Sequence, residues 1–241
     1  MNDVEYARLA RVEEKHWYYA GKRQLVRELL GKARPLRPED VLLDCGAGTG
    51  RFAAELAGSC RVLVLDDHEQ ALRMLRERFR PDQIFALAGD RVPLPDAALD
   101  FVTALDVLEH TPDDAAVVRE FHRLLKPGGV AAVTVPASMV LWSEWDVALH
   151  HHRRYTRPQL RALFTAAAWE LDYVNYTNVP VYPVVWLIRK FRRWFPEGRL
   201  DDRPLPGWLN WLLRVQFVGL ALARIPMPFG VSLVLVARKR A

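Results

Sequence analysis

The chain contains 241 residues, of which 51% are hydrophobic and 26% are charged. This composition excludes a disordered tail, a collagen-like fibre and a low-complexity chain, and the length suits one domain, alone or with an insertion. The formal net charge is +5, and residues 187–224 alone hold eight basic and three acidic residues. Because the rest of the chain is balanced, the sequence argues against a nucleic-acid partner and for a single basic patch.

The sequence shows none of the patterns that mark secretion or membrane insertion. Two cysteines give no disulfide framework, which favours a reducing compartment. Residues 1–17 contain no apolar signal-peptide core, and no uninterrupted apolar run reaches the about 18 residues of a spanning helix. We expect a cytoplasmic protein, with a peripheral contact at the inner membrane face as an open alternative. The oligomeric state is left open.

Strand-like and helix-like segments alternate through the middle of the chain. Aliphatic and β-branched runs predict five strands, at residues 41–45, 61–66, 99–106 and 130–136 and within residues 83–90, which also hold the exit loop of the third strand. Amphipathic helices are predicted between them, at residues 51–57, 68–79 and 113–125, the last ended by the Lys-Pro-Gly-Gly of residues 126–129. Apolar strands joined by helices indicate an α/β fold, a doubly wound parallel sheet with helices on both faces.

The alternation stops after Pro136. Residues 137–156 are predicted to form a loop rich in Trp and His, and a capping box at Thr156 and Gln159 predicts a helix to about residue 168. Residues 169–177 and 231–239 are predicted strands. Two helices are expected between them, near residues 180–195 and 206–224.

A glycine-rich turn follows the first predicted strand and opens a helix. It reads Asp-Cys-Gly-Ala-Gly-Thr-Gly over residues 44–50. Glycines let such a turn tighten and let a ligand approach the backbone, while the helix N-terminus offers unpaired N–H groups to an anion. Asp66 ends the second strand, where an acid accepts hydrogen bonds from ribose hydroxyls. We therefore predict a nucleotide-type ligand at this sheet edge.

The glycine spacing separates two ligand classes. A dinucleotide fingerprint requires G-x-G-x-x-G. Here Arg51 occupies the third glycine position, and Gly50 comes one residue early, which makes a G-x-G-x-G turn. The spacing argues against a nicotinamide cofactor, although a turn of purely structural role is the alternative reading.

At these residues the chain resembles the class I S-adenosylmethionine-dependent methyltransferases. The matching stretches are LLDCGAGTGRFAAELA, VLVLDDHEQAL, AGDRVPLPDAALDFVTALDVLEH and FHRLLKPGGVAAVTVP, in the family's order between about residues 40 and 136. The resemblance implies a Rossmann-like seven-stranded sheet whose last strand is antiparallel. It also implies S-adenosylmethionine as methyl donor and S-adenosylhomocysteine as product.

The same resemblance implies cofactor contacts at particular positions of this chain. Residues implied to hold the methionine part are Asp44, Gly46, Ala47, Gly48 and Gly50. Residues implied to bind the ribose and the adenine are Asp66, Asp67, Gly89, Asp90 and Arg91. Residues implied to face the middle of the cofactor are Asp106 and Val107. Simpler readings remain for the acids, such as a helix cap at Asp66 and a turn at Asp90.

His110 is the candidate catalytic residue. It follows the fourth predicted strand, close to where the methyl group would emerge, and an imidazole can serve as general base near neutral pH. It can equally cap the next loop. Methyl transfer from a sulfonium is an in-line displacement, in which alignment supplies much of the catalysis, so a base is dispensable.

Residues 150–155, His-His-His-Arg-Arg-Tyr, are the second candidate for chemistry on the acceptor side. Consecutive histidine side chains diverge, and no second group has zinc-ligand spacing, so we expect no metal. A similar LWSxxD…HxRRYT stretch occurs in a bacterial subgroup of the family. The resemblance places four residues beside the acceptor: Trp142, His151, Arg154 and Tyr155. A structural loop is the alternative.

The subgroup also begins with an HWY-like arm and a G-x-R pair, here residues 16–19 and 21–23. Arg23 is then implied to bind the cofactor carboxylate, and Tyr18 and Tyr19 to form a lid over the acceptor. Packing of the arm on the sheet is the alternative. We divide the chain into an arm and helix at 1–39, a cofactor-binding core at 40–177, a hydrophobic and basic helical cap at 178–230, and the last core strand at 231–241.

The sequence thus predicts methyl transfer from S-adenosylmethionine to a small or lipophilic acceptor, at an oxygen, nitrogen or carbon atom that it does not specify. The apolar and basic cap suits a lipophilic acceptor or an interfacial membrane contact, and equally a helical cover or an oligomer contact. Two other functions stay open, a nicotinamide-dependent oxidoreductase and a non-catalytic protein that kept the cofactor fold.

Overall fold

The structure is a computed structural model, and it describes residues 3–87, 89, 91–166, 168–191 and 205–240. Seven strands form one sheet. They are β1 (Val41–Cys45), β2 (Arg61–Asp66), β3 (Ile84–Ala86), β4 (Leu99–Leu105), β5 (Leu125–Pro136), β6 (Trp169–Thr177) and β7 (Ser232–Lys239). The strand order is β3-β2-β1-β4-β5-β7-β6.

The pairing follows the expected doubly wound pattern. Strands β1 to β5 pair in parallel, whereas β7 runs antiparallel to both β5 and β6. The predicted seven-stranded sheet with an antiparallel last strand is therefore confirmed. The chain leaves β1 toward β2 on one side and later returns to β4 on the other, so the switch point of the sheet lies between β1 and β4.

Helices cover the sheet. Those before β5 are α1 (Asp3–Val12), α2 (Trp17–Ala33), α3 (Arg51–Leu56), α4 (Glu69–Arg78) and α5 (Asp114–Leu124). Those after it are α6 (Glu144–Ala148), α7 (Arg157–Thr165), α8 (Tyr182–Lys190) and α9 (Gly207–Leu222). The predicted helical insertion before the last strand is thus present. No helix in the described part of the chain combines the length and apolar character that crossing a membrane requires.

The core consists of two apolar layers, one on each face of the sheet. Helices α5 and α7 pack on one face, through side chains such as Phe121 and Phe164. Helices α2, α3, α4 and α9 pack on the other, through side chains such as Leu29, Phe52 and Phe217. Because apolar faces on both sides require an apolar sheet, the strands read as near-continuous hydrophobic runs.

Three local predictions are corrected. Strand β5 begins at Leu125 rather than at residue 130, because Leu125 pairs with Leu99 and a bulge then lets the strand pass through Gly128 at φ +76°. The predicted loop at 137–156 contains the short helix α6, which Ser143 and Asp146 cap reciprocally. Helix α7 ends at Thr165, about one turn earlier than predicted.

Candidate functional site

The candidate site lies at the carboxyl ends of β1, β2 and β4. Asp44 of β1 lies between Val64 of β2 and Thr103 of β4 in the strand register. The Thr103 hydroxyl donates to Asp44 Oδ1 at 2.7 Å. Burial raises the pKa of Asp44 to about 7, although the Thr103 hydrogen bond opposes the shift. The carboxyl group therefore changes charge near neutral pH.

The glycine-rich turn needs glycine for different reasons at its three positions. All three have left-handed backbone, with φ of +63° at Gly46, +58° at Gly48 and +74° at Gly50. A Cβ atom on Gly46 would lie 2.6 Å from Val107 Cγ2, and one on Gly50 would lie 2.7 Å from Leu75 Cδ2. At Gly48 the nearest atom would be Tyr6 Cε1, 3.9 Å away, which is an ordinary van der Waals contact. Backbone conformation rather than a close neighbour therefore requires glycine at this position.

Asp66 connects the end of β2 to this turn. Its carboxylate accepts from the Gly48 N–H at 2.9 Å and from the His68 N–H at 3.0 Å. Burial raises its pKa, and these backbone donors oppose the rise. Asp67 follows it at the surface. A buried acid beside Gly48 has the position that a ribose-binding residue requires.

The adenine-side residues are described only in part. Asp90 lies outside the described residues. Gly89 has φ +91° and open space around its α-carbon. Arg91 forms an exposed ion pair with Asp96 at 3.2 Å. Ala47, in the glycine turn, donates its N–H to the Leu65 carbonyl of β2 at 3.0 Å.

The N-terminal arm covers the turn through contacts that the sequence analysis did not foresee. The Thr49 hydroxyl lies 2.7 Å from Glu13 Oε1, and both residues are buried. Tyr6 of α1 is also buried and packs on His68, with ring centroids 4.8 Å apart. The helix–turn contact is visible only in three dimensions, since Glu13 and Thr49 are far apart in sequence.

Arg23, implied to bind the cofactor carboxylate, is buried between protein groups. Its Nε donates to Glu55 Oε1 at 2.9 Å, and its Nη1 donates to the Glu13 carbonyl at 2.8 Å. The neighbouring Lys22 instead points to the end of β4. Among the described residues of the arm, Lys22 is therefore the cation that contacts Asp106, which is implied to face the middle of the cofactor.

Lys22 forms an ion pair with Asp106. Its Nζ lies 2.5 Å from Asp106 Oδ2 and also lies over the rings of Tyr18 and Tyr19, 5.0 and 5.8 Å from their centroids. Burial favours the neutral amine, but Asp106 outweighs it and raises the pKa of Lys22. Asp106 has φ +58°, a strained backbone for a non-glycine residue. The pair joins the arm to the loop after β4.

The loop after β4 also carries Glu109 and His110, which meet His151. The rings of His110 and His151 lie 4.6 Å apart at an interplanar angle of 82°. Burial and the neighbouring His151 lower the pKa of His110 to about 4, and burial raises the pKa of Glu109 well above its usual range. His110 is therefore uncharged at neutral pH, which makes it a weak base.

The other predicted acceptor-side residues support this loop from within. Arg154 is buried and donates to Asp146 Oδ1 at 2.7 Å, and Tyr155 is buried and donates to Asp114 Oδ2 at 2.7 Å. Trp142 is half-buried beside the short helix α6. Asp146, the aspartate of the LWSxxD stretch, had no predicted role; it is fully buried and contacts both His151 and Arg154 of the loop. The reciprocal cap at Ser143 was the available sequence signal.

Comparisons with known proteins agree with this geometry. Residues 43–133 match a family model described as a methyltransferase domain. The chain is 32% identical over 164 residues to a "Probable S-adenosylmethionine-dependent methyltransferase" of Mycolicibacterium smegmatis, an alignment covering 66% of this chain and 62% of the relative. It is 29% identical over 179 residues to a malonyl-[acyl-carrier protein] O-methyltransferase of Serratia marcescens, covering 71% of this chain and 69% of the relative.

A solved structure shows the same fold. An S-adenosylmethionine-dependent methyltransferase from Thermotoga maritima matches with a TM-score of 0.63 at 21% identity, covering 98% of this chain and 95% of that one. The chain spans 62% of the length of the Mycolicibacterium relative. With the glycine-rich turn, the two acids at the ends of β1 and β2 and the seven-stranded sheet, these matches show a methyltransferase domain at residues 43–133 of a chain that is similar to the class I S-adenosylmethionine-dependent methyltransferases.

Proposed function

We propose that this chain transfers a methyl group from S-adenosylmethionine to a small or lipophilic acceptor. The observation that carries the proposal is the left-handed glycine turn at Gly48, with the buried carboxyl groups of Asp44 and Asp66 at the adjoining strand ends. Two carboxylates suit a cofactor that carries an ammonium and two ribose hydroxyls. The G-x-G-x-G spacing does not favour the nicotinamide alternative.

On the donor side, Asp44 and the glycine turn hold the methionine part and Asp66 holds the ribose. Asp67, Gly89, Asp90 and Arg91 line the adenine in this proposal, and Asp106 and Val107 face the sulfonium. Arg23 supports the cofactor site indirectly in this proposal. It donates to the Glu13 carbonyl, and the Glu13 side chain contacts Thr49 of the glycine-rich turn.

The reaction in this proposal is an in-line displacement. A nucleophilic atom of the acceptor attacks the methyl carbon, the carbon–sulfur bond breaks, and S-adenosylhomocysteine leaves with the bonding electron pair. Placing the two reactants in line supplies much of the rate acceleration. Tyr18, Tyr19 and Lys22 form the wall that the arm contributes, and His110 and His151 form the opposite wall.

The proposed acceptor class rests on the apolar character of the helices that precede the last strand. Helices α8 and α9 expose large apolar side chains, including Val184, Leu187, Trp208 and Trp211. The Serratia relative is named for methylation of an acyl group carried by a protein, and that acceptor is also a small group. We therefore place small and lipophilic acceptors first.

A transfer assay tests the proposal. The purified chain is incubated with methyl-labelled S-adenosylmethionine and a panel of lipophilic phenols, carboxylic acids and amines. We expect label in at least one acceptor, with one equivalent of S-adenosylhomocysteine for each methyl group. Absence of both donor binding and S-adenosylhomocysteine formation would overturn the proposal and favour a non-catalytic role.

A further inference from the structure

Three side chains from two separate loops converge on the side of the loop after β4. They are Glu109, His110 and His151, and their potential ligand atoms all lie within 4.8 Å of one another. The His152 N–H donates to the Glu109 carbonyl at 2.7 Å, so the two loops are held together by backbone as well. Zinc-ligand spacing in the sequence did not reveal this cluster, because His151 is far from Glu109 and His110 along the chain.

The carboxyl group of Glu109 has no hydrogen-bond partner on another residue that the structure describes. The residue is fully buried, and both carboxyl oxygens are unpaired. Buried polar groups nearly always have partners, because an unpaired one loses its hydration without compensation. The unpaired carboxyl group, beside two imidazoles, indicates a ligand at this point.

Both imidazoles are held in the way that metal-binding histidines are held. His151 Nδ1 lies 3.0 Å from Asp146 Oδ1, and Asp146 is itself fixed by the Arg154 guanidinium. His110 has a hydrogen bond to the backbone of Leu149. A metal-ligating histidine commonly donates one ring N–H to a carboxylate or a carbonyl, which turns its other nitrogen toward the ion.

We propose that Glu109, His110 and His151 bind a divalent transition-metal ion. Two imidazoles and one carboxylate are a ligand set for Zn²⁺ and for Fe²⁺. Metal–ligand bonds of about 2.1 Å require the three donor atoms to lie closer together than the 4.8 Å that separates them at most. Three protein ligands leave a position for water or for an acceptor oxygen. That acceptor role rests on the proposed function, whereas binding of the ion does not.

Titrations of the full chain with Zn²⁺ and Co²⁺, after removal of bound metal with a chelator, test this site. We compare the wild type with Glu109→Gln, His151→Gln and the control His152→Gln, which changes an exposed histidine next to the cluster. Calorimetry gives the stoichiometry and affinity for Zn²⁺, and visible absorption reports the coordination of Co²⁺. No methyl donor is added, so the outcome is independent of methyl transfer.

We expect one Zn²⁺ per chain, at least tenfold weaker binding in Glu109→Gln and in His151→Gln, and wild-type binding in His152→Gln. Circular dichroism melting of each variant checks that it is folded. The proposal is overturned if the wild type shows no saturable binding, or if folded Glu109→Gln binds both ions as the wild type does. Equal losses in His152→Gln would also overturn it.

Discussion

Asp44 is the residue whose charge should set the pH dependence of cofactor binding. Its pKa of about 7 in the free protein means that the ionised form, which attracts the cofactor ammonium, disappears below neutral pH. We expect the affinity for S-adenosylhomocysteine to fall by up to about tenfold per pH unit as the pH drops from 7.5 to 5.5. Asp44→Asn should bind weakly and lose the part of the profile with a midpoint near 7. A flat wild-type profile in calorimetry would contradict this role.

The raised pKa of Asp44 also predicts how the stability of the folded chain depends on pH. A carboxyl group whose pKa is raised by folding stabilises the folded chain at low pH and loses that contribution as the pH rises through the interval up to about 7. Asp44→Asn should therefore raise the melting temperature of the ligand-free protein at pH 8, and the gain should shrink toward pH 5. A lower melting temperature at pH 8 would mean that the ionised group is stabilised by contacts we have not identified.

A substitution at Gly48 tests contact with the ligand separately from the packing of the protein. A valine there meets no described atom closer than 3.9 Å from its Cβ, but it must adopt φ +58°. We expect a loss of about 1–2 kcal/mol in the free energy of unfolding from backbone strain, together with at least a hundredfold loss of S-adenosylmethionine affinity. Gly58→Ala, at a position with open space, is the control. If Gly48→Val binds the donor normally, the turn is structural only.

At the scale of elements, α2 and α9 pack closely at Gly21. A Cβ atom at this position would lie 2.7 Å from Phe217 Cδ1, inside the apolar layer that both helices share. Gly21→Ala should therefore lower the free energy of unfolding by about 1–3 kcal/mol, because the buried ring must move. Gly31→Ala, in the same helix with nothing within 4 Å, should raise it by up to about 1 kcal/mol. Urea denaturation of both variants measures the difference, and equal effects would contradict the account.

The elements were largely predictable, for identifiable reasons. Strand β6 was predicted with its observed bounds, because residues 169–177 alternate between apolar and polar side chains. Strand β5 and helix α6 were less well predicted, since a bulge and a reciprocal cap depend on contacts with Leu99 and within residues 143–146. The local sequence pattern predicts whether a segment forms a helix or a strand. Contacts with other parts of the chain determine the residues at which it begins and ends.

The candidate site was predictable only along the glycine turn and the strand ends. The positions of Asp44, Gly48 and Asp66 follow from the order of strands in a doubly wound sheet. The partners of Lys22, Glu13 and Glu109 do not, because each contact joins segments that are far apart in sequence. The predicted roles of Arg154 and Tyr155 did not include the acids that hold these side chains, the buried Asp146 and the half-buried Asp114.

For the whole molecule, the proposed peripheral membrane contact is a separate prediction. Helix α9 exposes Trp208 and Trp211, and Lys190 of α8 lies over the Trp186 ring. Arg189 contributes less to membrane binding than the sequence suggests, since its guanidinium contacts Asp146 and the Leu141 carbonyl. Arg192, Arg193 and Trp194 lie outside the described residues.

We expect the chain to co-sediment with anionic liposomes at low salt. Each basic group near such a surface contributes about 1 kcal/mol, and salt screens this contribution. Replacement of Lys190, Arg192 and Arg193 by Gln should remove most of the binding and leave the donor affinity unchanged. If the wild type does not bind anionic liposomes at low salt, the membrane contact is contradicted, and α8 and α9 instead contact the acceptor or another subunit.

Calorimetric titration with S-adenosylmethionine and, separately, with NAD⁺ distinguishes the proposed methyl donor from a nicotinamide cofactor. We expect one S-adenosylmethionine per chain and no binding of NAD⁺. We also expect a loss of about 1–3 kcal/mol of binding free energy in Asp66→Asn, because the ribose hydroxyls lose their charged acceptor, and none in Asp82→Asn, an exposed surface control. Binding of NAD⁺ without S-adenosylmethionine, or wild-type donor affinity in Asp66→Asn, would contradict the proposed donor site.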